Sequence, residues 1–370
     1  MGKRVRLALV VALLSGCNVY DASLVPRDAG MDAGADASTS CPPLAAPPTR
    51  PSRLDDGTDE AVFALRHITL NQDGDRWRTI GYDLDGLCSG PAEAPVECTP
   101  MSGGANASLD GDHGIDNAFG RAITPLLLAA YPTLEMEAQM YQDYGLGTLI
   151  LRIRNWNGEA NDSRVHAILT QSTYGTPGTA DGGVPMPEIP DGGATYEDGG
   201  VPPFPAWEGD DYFWARDDSF FDGDPARPIT SDDNAYIADR TLVMHLPDGR
   251  EILFAGDTRG INLRLTDARL TAQLSTDGVA ITRAQLVGRW ALNDVLDAVQ
   301  HAGVCTDNPL YTTLGNLLRT AVDVRSIAGS GGPGVECDAV SVGLAFDGIR
   351  AHYAGIATAY PLPNPCAGTP

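Results

Sequence analysis

The chain has 370 residues, with 25 Lys and Arg against 49 Asp and Glu and a formal net charge of −24. That surplus of acid argues against nucleic acid as a partner, whose binding rests on basic side chains meeting phosphates, and against anionic lipid surfaces; it suits a solvated outer surface or cation binding. Lys3 is the only lysine, so the chain beyond it lacks the amine needed for Schiff bases, the Walker loop, the kinase strand lysine and Ser-x-x-Lys enzymes.

The first sixteen residues, MGKRVRLALVVALLSG, place Lys3, Arg4 and Arg6 before an apolar run, Leu7 to Leu14, and small residues. The run is far shorter than the roughly 20 residues a membrane span needs. A positive start, a short apolar run and a small-residue exit form the pattern of a secretory signal. Leu14-Ser15-Gly16-Cys17 is similar to the lipobox of bacterial lipoproteins. The resemblance implies cleavage before Cys17 and lipid on that cysteine, which would hold the protein to a membrane. Asn18 stands where that family's inner-membrane retention signal has Asp, which favours the outer membrane. Cleavage removes three basic and no acidic residues, leaving 22 basic against 49 acidic and a net charge of −27.

Residues 17–57 are rich in Ala, Asp, Gly and Pro and poor in large apolar side chains, so they read as a disordered tether. One β-rich domain is expected over 58–370. GYDLDG offers Asp83 and Asp85, and SLDGDHGIDN offers Asp110, Asp112 and Asp116 with Asn117. Oxygen-rich loops of this kind can wrap calcium. Neither fits an EF-hand, and acidic surface turns, where Asp and Gly serve the backbone, are the plainer alternative. A helical region covers Asn117–Tyr141, broken at Pro125 and Pro132.

Strand patterns follow. In GTLILRIRNW the residues Leu149, Leu151 and Ile153 share a face; in SRVHAILTQS so do Val165, Ala167 and Leu169. With NWNGEAND between them they predict a hairpin. The low-complexity segment at about 175–205 carries DGG units; it reads as an insertion loop within one domain, a linker between two domains being the alternative. In FPAWEGDDYFWARDDSFF, residues 204–221, Trp207, Tyr212 and Trp214 stand among Asp210 and Asp211. Aromatic faces beside carboxylates can hold sugars. The competing and stronger reading has the rings filling the core while the acids face water.

TLVMHLPDGREILFAG predicts a hairpin with Pro247-Asp248-Gly249 at its tip. Residues 261–288 continue as short strands turning at Asp277-Gly278. RWALNDVLDAVQHAG and DNPLYTTLGNLLRTAV predict two amphipathic helices, the second capped by Asp307 or Asn308 with Pro309 in its first turn. AVSVGLAFDGIRAHYAGIA predicts a last hairpin around Asp347-Gly348. Together these imply a mainly β fold, an antiparallel, jelly-roll-like β-sandwich with two or three accessory helices.

Six cysteines besides Cys17 suit an oxidising compartment. Fifteen pairings are possible; Cys88–Cys98 and Cys305–Cys337 are preferred as local pairs, leaving Cys41–Cys366. The chain has neither Gly-x-Ser-x-Gly nor His-Glu-x-x-His, and its six histidines are scattered, only His113 lying in an acidic loop.

The lipobox, the run DAGMDAGADA, the DGG repeats and CDAVSVGLAF at 337–346 together resemble the surface lipoproteins of myxobacteria and their kin, mainly in leader and linkers. The resemblance implies a location, the lipid-anchored cell envelope, and no mechanism. The reading that follows is a non-catalytic envelope protein, a ligand- or glycan-binding module, with calcium as the one candidate cofactor. A secreted polysaccharide hydrolase using an Asp/Glu pair and a purely structural envelope protein are the alternatives.

Overall fold

The computed structural model describes residues 43–52, 57–90, 95–101, 109–178, 204–255, 260–359 and 366. The signal, Cys17, Cys41, the tether apart from residues 43–52 and 57, and most of the 175–205 segment lie outside them. All the described residues belong to one compact unit, Thr39–Pro370.

Period-two apolar patterning builds eleven strands among these residues: β1 (Asp59–Thr69), β2 (Leu149–Trp156), β3 (Asp162–Thr176), β4 (Tyr212–Arg216), β5 (Ser231–Ala238), β6 (Thr241–His245), β7 (Glu251–Ala255), β8 (Gly260–Leu274), β9 (Ala280–Ala291), β10 (Ala339–Arg350) and β11 (His352–Ala357). Four α-helices accompany them: α1 (Thr124–Ala130), α2 (Leu134–Asp143), α3 (Leu292–His301) and α4 (Pro309–Ala321).

Eight strands close into a ring in the order β3-β2-β1-β10-β9-β8-β6-β5, and β5 returns to β3. The closing pairs include Asp162 with Ile237 and Val165 with Ala235. The expected sandwich is therefore overturned: the fold is a closed antiparallel barrel with three outer strands, β4, β7 and β11. Both architectures need the same alternation along each strand. They differ in one long-range pairing, β3 with β5, which no local pattern announces.

The barrel interior is filled. Phe63, Leu65, Leu149, Leu151, Ile153, Ile237, Leu242 and Met244 are fully buried and belong to one continuous core, as a ring of eight strands leaves room for little more than its own side chains. Arg152, Arg154, Arg269 and Arg283 take the alternate, outward positions. Apolar inside and charged outside is the reverse of a membrane-spanning barrel. No described helix is long and apolar enough to cross a membrane. Part of the outer face is covered: Phe213 and Ala215 of β4 pack with Val62, Ala64 and Ile150 in a second apolar layer.

The registers place short turns at one end of the barrel, at 157–161, 239–240 and 275–279. At the other end lie the opposite ends of the same strands, and the longer connections from β1 to β2, β3 to β5, β6 to β7 and β9 to β10 join them there. All four helices belong to this loop end.

Several local expectations hold. β2 and β3 form the expected hairpin, β8 and β9 turn at Asp277-Gly278, and α3 and α4 lie where the apolar stripes place them. The Asn308 side chain caps α4, accepting from the Leu310 N–H. The expected helical region is interrupted at Pro132, between α1 and α2, but not at Pro125, where a π-helical turn, Phe119–Ile123, runs directly into α1.

Others are corrected. β6 and β7 do not pair with each other. Both lie along the fifteen-residue β8, β6 on Arg269–Gln273 and β7 on Gly260–Arg264. Asp347-Gly348 is no turn: β10 runs through it with a register shift. Gly348 is needed there because a Cβ would stand 2.8 Å from Leu65 Cδ2 and 2.9 Å from the Ala64 carbonyl oxygen. β11 pairs with β4 in parallel, not with β10. The expected cysteine pairs are also replaced. Cys98 joins Cys337 and Cys305 joins Cys366; Cys88 is itself in a disulfide. Nearness in sequence misled, because the loop end brings distant segments together.

Candidate functional site

Three features converge on the loop end. The first is a cleft of about 430 Å³ where β3 leaves the barrel wall. Its floor is Leu149 and Leu169; its walls carry Thr170, Gln171, Asp218, Ser219, Thr230, Arg250, Glu251 and Arg264. Gln171 continues the inward face of Ala167 and Leu169 and stands opposite Leu149 in the register. A polar side chain thus tops an apolar column. Backbone contacts hold the far wall in place: the Leu169 N–H donates to the Thr230 carbonyl at 3.0 Å. Glu251 faces Arg264 across the β7–β8 ladder, and Arg264 Nε donates to its carboxylate at 2.8 Å. Contact with Glu251 pushes the Arg264 pKa upward. Asp218 is held by Arg216 through two hydrogen bonds of 2.9 and 2.6 Å. Arg250 lies 5.4 Å from the centroid of the half-exposed Phe221 ring.

Two atoms of lining residues, closed off from the cleft itself, lack partners among the described residues. Thr170 Oγ1 and Gln171 Nε2 are buried and make no hydrogen bond. Their residues are 3 % and 9 % exposed. A buried polar atom left unpaired costs about 1–3 kcal/mol, and such groups normally find protein, water or ligand.

The second feature is the acidic cluster expected from the sequence. Oxygens of Asp83, Asp85 and Asp116 lie within 4.8 Å of one another. Asp110 is 3 % exposed and joins the same electrostatic group; Asp112 instead pairs with Arg78 at 2.9 Å. No Cys88–Cys98 bridge holds the two loops. Backbone N–H groups do: Leu84 donates to Asp116 at 2.7 Å and Ser89 to Asp110. Burial is the main force on every pKa here. It pushes Asp110 up to about 8 and Asp85 up to about 6, with neighbouring carboxylates adding to it, and it raises Asp83 and Asp116. Asp323, buried beside the group, is pushed up to about 7 against two hydrogen bonds from Ser341. A divalent cation among these oxygens would favour the charged forms that burial opposes.

The third feature is the aromatic segment, which the fold divides. Trp207 is half-buried against the second apolar layer, its indole N–H donating to the Asp143 carbonyl at 2.9 Å. Tyr212 and Trp214 sit on the other face of β4, Tyr212 stacked on His352 at 4.7 Å and Trp214 packed on Tyr174. Asp211 is buried and accepts from the Ala206 and Trp207 N–H groups at 2.7 Å; burial raises its pKa. Asp210 is exposed. The rings mostly fill core, the stronger of the two readings, and they form no shared platform.

Sequence reasoning missed the cleft. One signal was available: Gln171 interrupts an inward apolar series in β3. The rest of the wall comes from segments nearly 100 residues apart. No family model matches the chain, nor does any curated protein or solved structure.

Proposed function

We propose that this is a lipid-anchored cell-envelope protein whose barrel holds a polyhydroxylated ligand of the glycan type in the loop-end cleft. The observation that carries the reading is a cleft of ligand size whose lining gathers Thr170, Gln171, Ser219, Asp218, Glu251, Arg250 and Arg264 around Leu149 and Leu169. Ligand pockets run roughly 300–1,000 Å³ with a few placed polar groups. Hydroxyls, an amide, two carboxylates and two guanidinium groups around an apolar floor match a ligand that both donates and accepts. Asp218 and Glu251 are each engaged by an arginine, which supports binding over a hydrolytic role for them. The anchor rests on the lipobox at Cys17, and the disulfides fit an exported protein.

Isothermal titration of the full chain with neutral oligosaccharides tests the reading. Binding should weaken at least tenfold in Gln171→Leu, with the fold intact by circular dichroism. Affinity unchanged by Gln171→Leu, or no binding to any oligosaccharide, overturns it. Release of reducing ends, lost in Glu251→Gln, would turn the assignment to a hydrolase.

Calcium enters as a structural ion on Asp83, Asp85 and Asp116, supported by their convergence and by the nine-tenths burial of Asp110 and Asp116. Calcium should raise the melting temperature, and Asp116→Asn should abolish the rise. No rise over chelator overturns this part.

A further inference from the structure

The charges around the loop-end cleft are not evenly matched. Its lining holds two carboxylates, Asp218 and Glu251, and two guanidinium groups, Arg250 and Arg264. Asp218 is taken up by Arg216 and Glu251 by Arg264, which also lies 3.7 Å from Asp294. Arg250 differs. It is exposed, lines the cleft, and has no hydrogen-bond or ion-pair partner among the described residues. In a chain with 49 acidic against 25 basic residues, arginines commonly meet a carboxylate, as Arg152, Arg216 and Arg289 do.

A closed loop sets an aromatic face beside this cation. The Phe221 N–H donates to the Arg227 carbonyl at 2.9 Å, and the Ile229 N–H to the Ser219 carbonyl at 3.0 Å. Residues 219–229 are thus tied back on themselves at Ser219 and Ile229, both of which line the cleft. The Phe221 ring is exposed, and Arg227 and Arg250 each stand 5.4 Å from its centroid. Asp222 answers the Arg227 charge at 3.1 Å. The Arg250 charge is left unmatched.

We infer, resting on the glycan reading, that the ligand of this cleft is an acidic glycan, a uronate whose carboxylate meets Arg250 while Phe221 covers the apolar face of the sugar ring. The planar fork of a guanidinium fits a carboxylate through two parallel N–H···O bonds. The paired arginines of the cleft would each have to give up a carboxylate to do the same. The net charge of the chain repels anions at a distance, so this preference is set by contact.

Calorimetric titration of the full chain with trisaccharides of galacturonate, glucuronate and mannuronate, each beside its carboxyl-reduced counterpart, tests this. In at least one pair the acid should bind about fivefold or more tighter, since a solvent-accessible pair keeps only part of the worth of a charge-assisted bond. In Arg250→Gln that preference should vanish while the reduced sugar binds as before. Phe221→Ala should weaken both alike; if it changes neither, the ring has no part in the site. Reduced sugars that bind as tightly as their acids, or a preference that survives Arg250→Gln, overturn the inference and leave the glycan reading standing. Binding of none of the six overturns both.

Discussion

At one end of the barrel the chain reverses in as few as two residues, Asp239 and Arg240; at the other, 79 residues separate β1 from β2. The short-turn end is held by its ladders. The loop end is held by other means: the Cys98–Cys337 and Cys305–Cys366 disulfides, the buried pair of Arg289 with Glu97 at 2.7 Å, and Asn117. The Asn117 amide donates to Gln72 and to the Ile80 carbonyl, and its oxygen accepts from the Gly120 and Gly343 N–H groups. Long connections carry binding groups because a rigid scaffold frees them to vary. Here that freedom is bounded by covalent and polar ties, and every candidate site lies among them.

If the ladders dominate at the closed wall, truncation inside it must be the costliest change. Leu151→Ala, in the fully buried interior, should cost about 2–5 kcal/mol in urea unfolding monitored by tryptophan fluorescence. Should it cost under about 1 kcal/mol, the interior is looser than described. Next comes the loop end. Replacing Cys98 and Cys337 together by Ser opens a crosslink spanning 239 residues and should cost about 2–4 kcal/mol. Hydrogen exchange should then quicken in 70–123 and 322–338 while the 239–240 and 275–279 turns keep their protection. Uniform quickening would erase the distinction between the ends.

A smaller effect follows from the buried acids. Asp110 and Asp323 hold their protons more tightly folded than unfolded, where Asp titrates near 3.9, because burial raises their pKa values to about 8 and about 7. Their contribution is therefore fullest at acid pH and lessens as pH rises from about 4 through about 8. In chelator, the melting temperature should fall over that window, and Asp110→Asn should flatten the fall. Calcium should restore more at pH 8 than at pH 5. A flat profile in the natural chain would show these acids to be solvated. The smallest effect belongs to the short-turn end. Asp239 and Arg240 both have positive φ, 47° and 64°, as a type I′ turn demands. Arg240→Gly should relieve that conformation and raise stability by about 0.5–1 kcal/mol; a loss would mean the Arg240 side chain contributes contacts of its own.

How much of this was legible depended on range. The β2–β3 hairpin could be read because Leu149, Leu151 and Ile153 alternate within eight residues of an Asn/Gly turn. The stripe of Leu310, Leu314, Leu317 and Leu318 likewise marked α4. The Pro247-Asp248-Gly249 tip misled: turn chemistry shows where a chain bends, not which strand it pairs with next, and β8 is long enough to receive both neighbours. Barrel closure was hidden for the same reason, since Val165 meets Ala235 only once the sheet has curled. The Asp cluster was partly visible, with Asp83, Asp85 and Asp116 convergent as expected and Asp112 drawn off by Arg78. The cleft was not visible, because its walls are assembled from distant segments that share no local pattern.

The place of β1 in the ring has a consequence for how the protein is made. One of its two neighbours is β10, with Phe63 opposite Arg350. A ribosome adding about 5–20 residues per second needs roughly 15–60 seconds after β1 to finish that partner. Throughout, one edge of β1 has open hydrogen-bonding groups of the kind that recruit other strands, and the pairing is among the most distant in the chain, which slows folding. The barrel cannot be completed from its N-terminal side while synthesis continues. If the chain is exported, as proposed, that delay is useful: it would reach its last strand before it owned a closed fold, and so would still be threadable when it crossed a membrane.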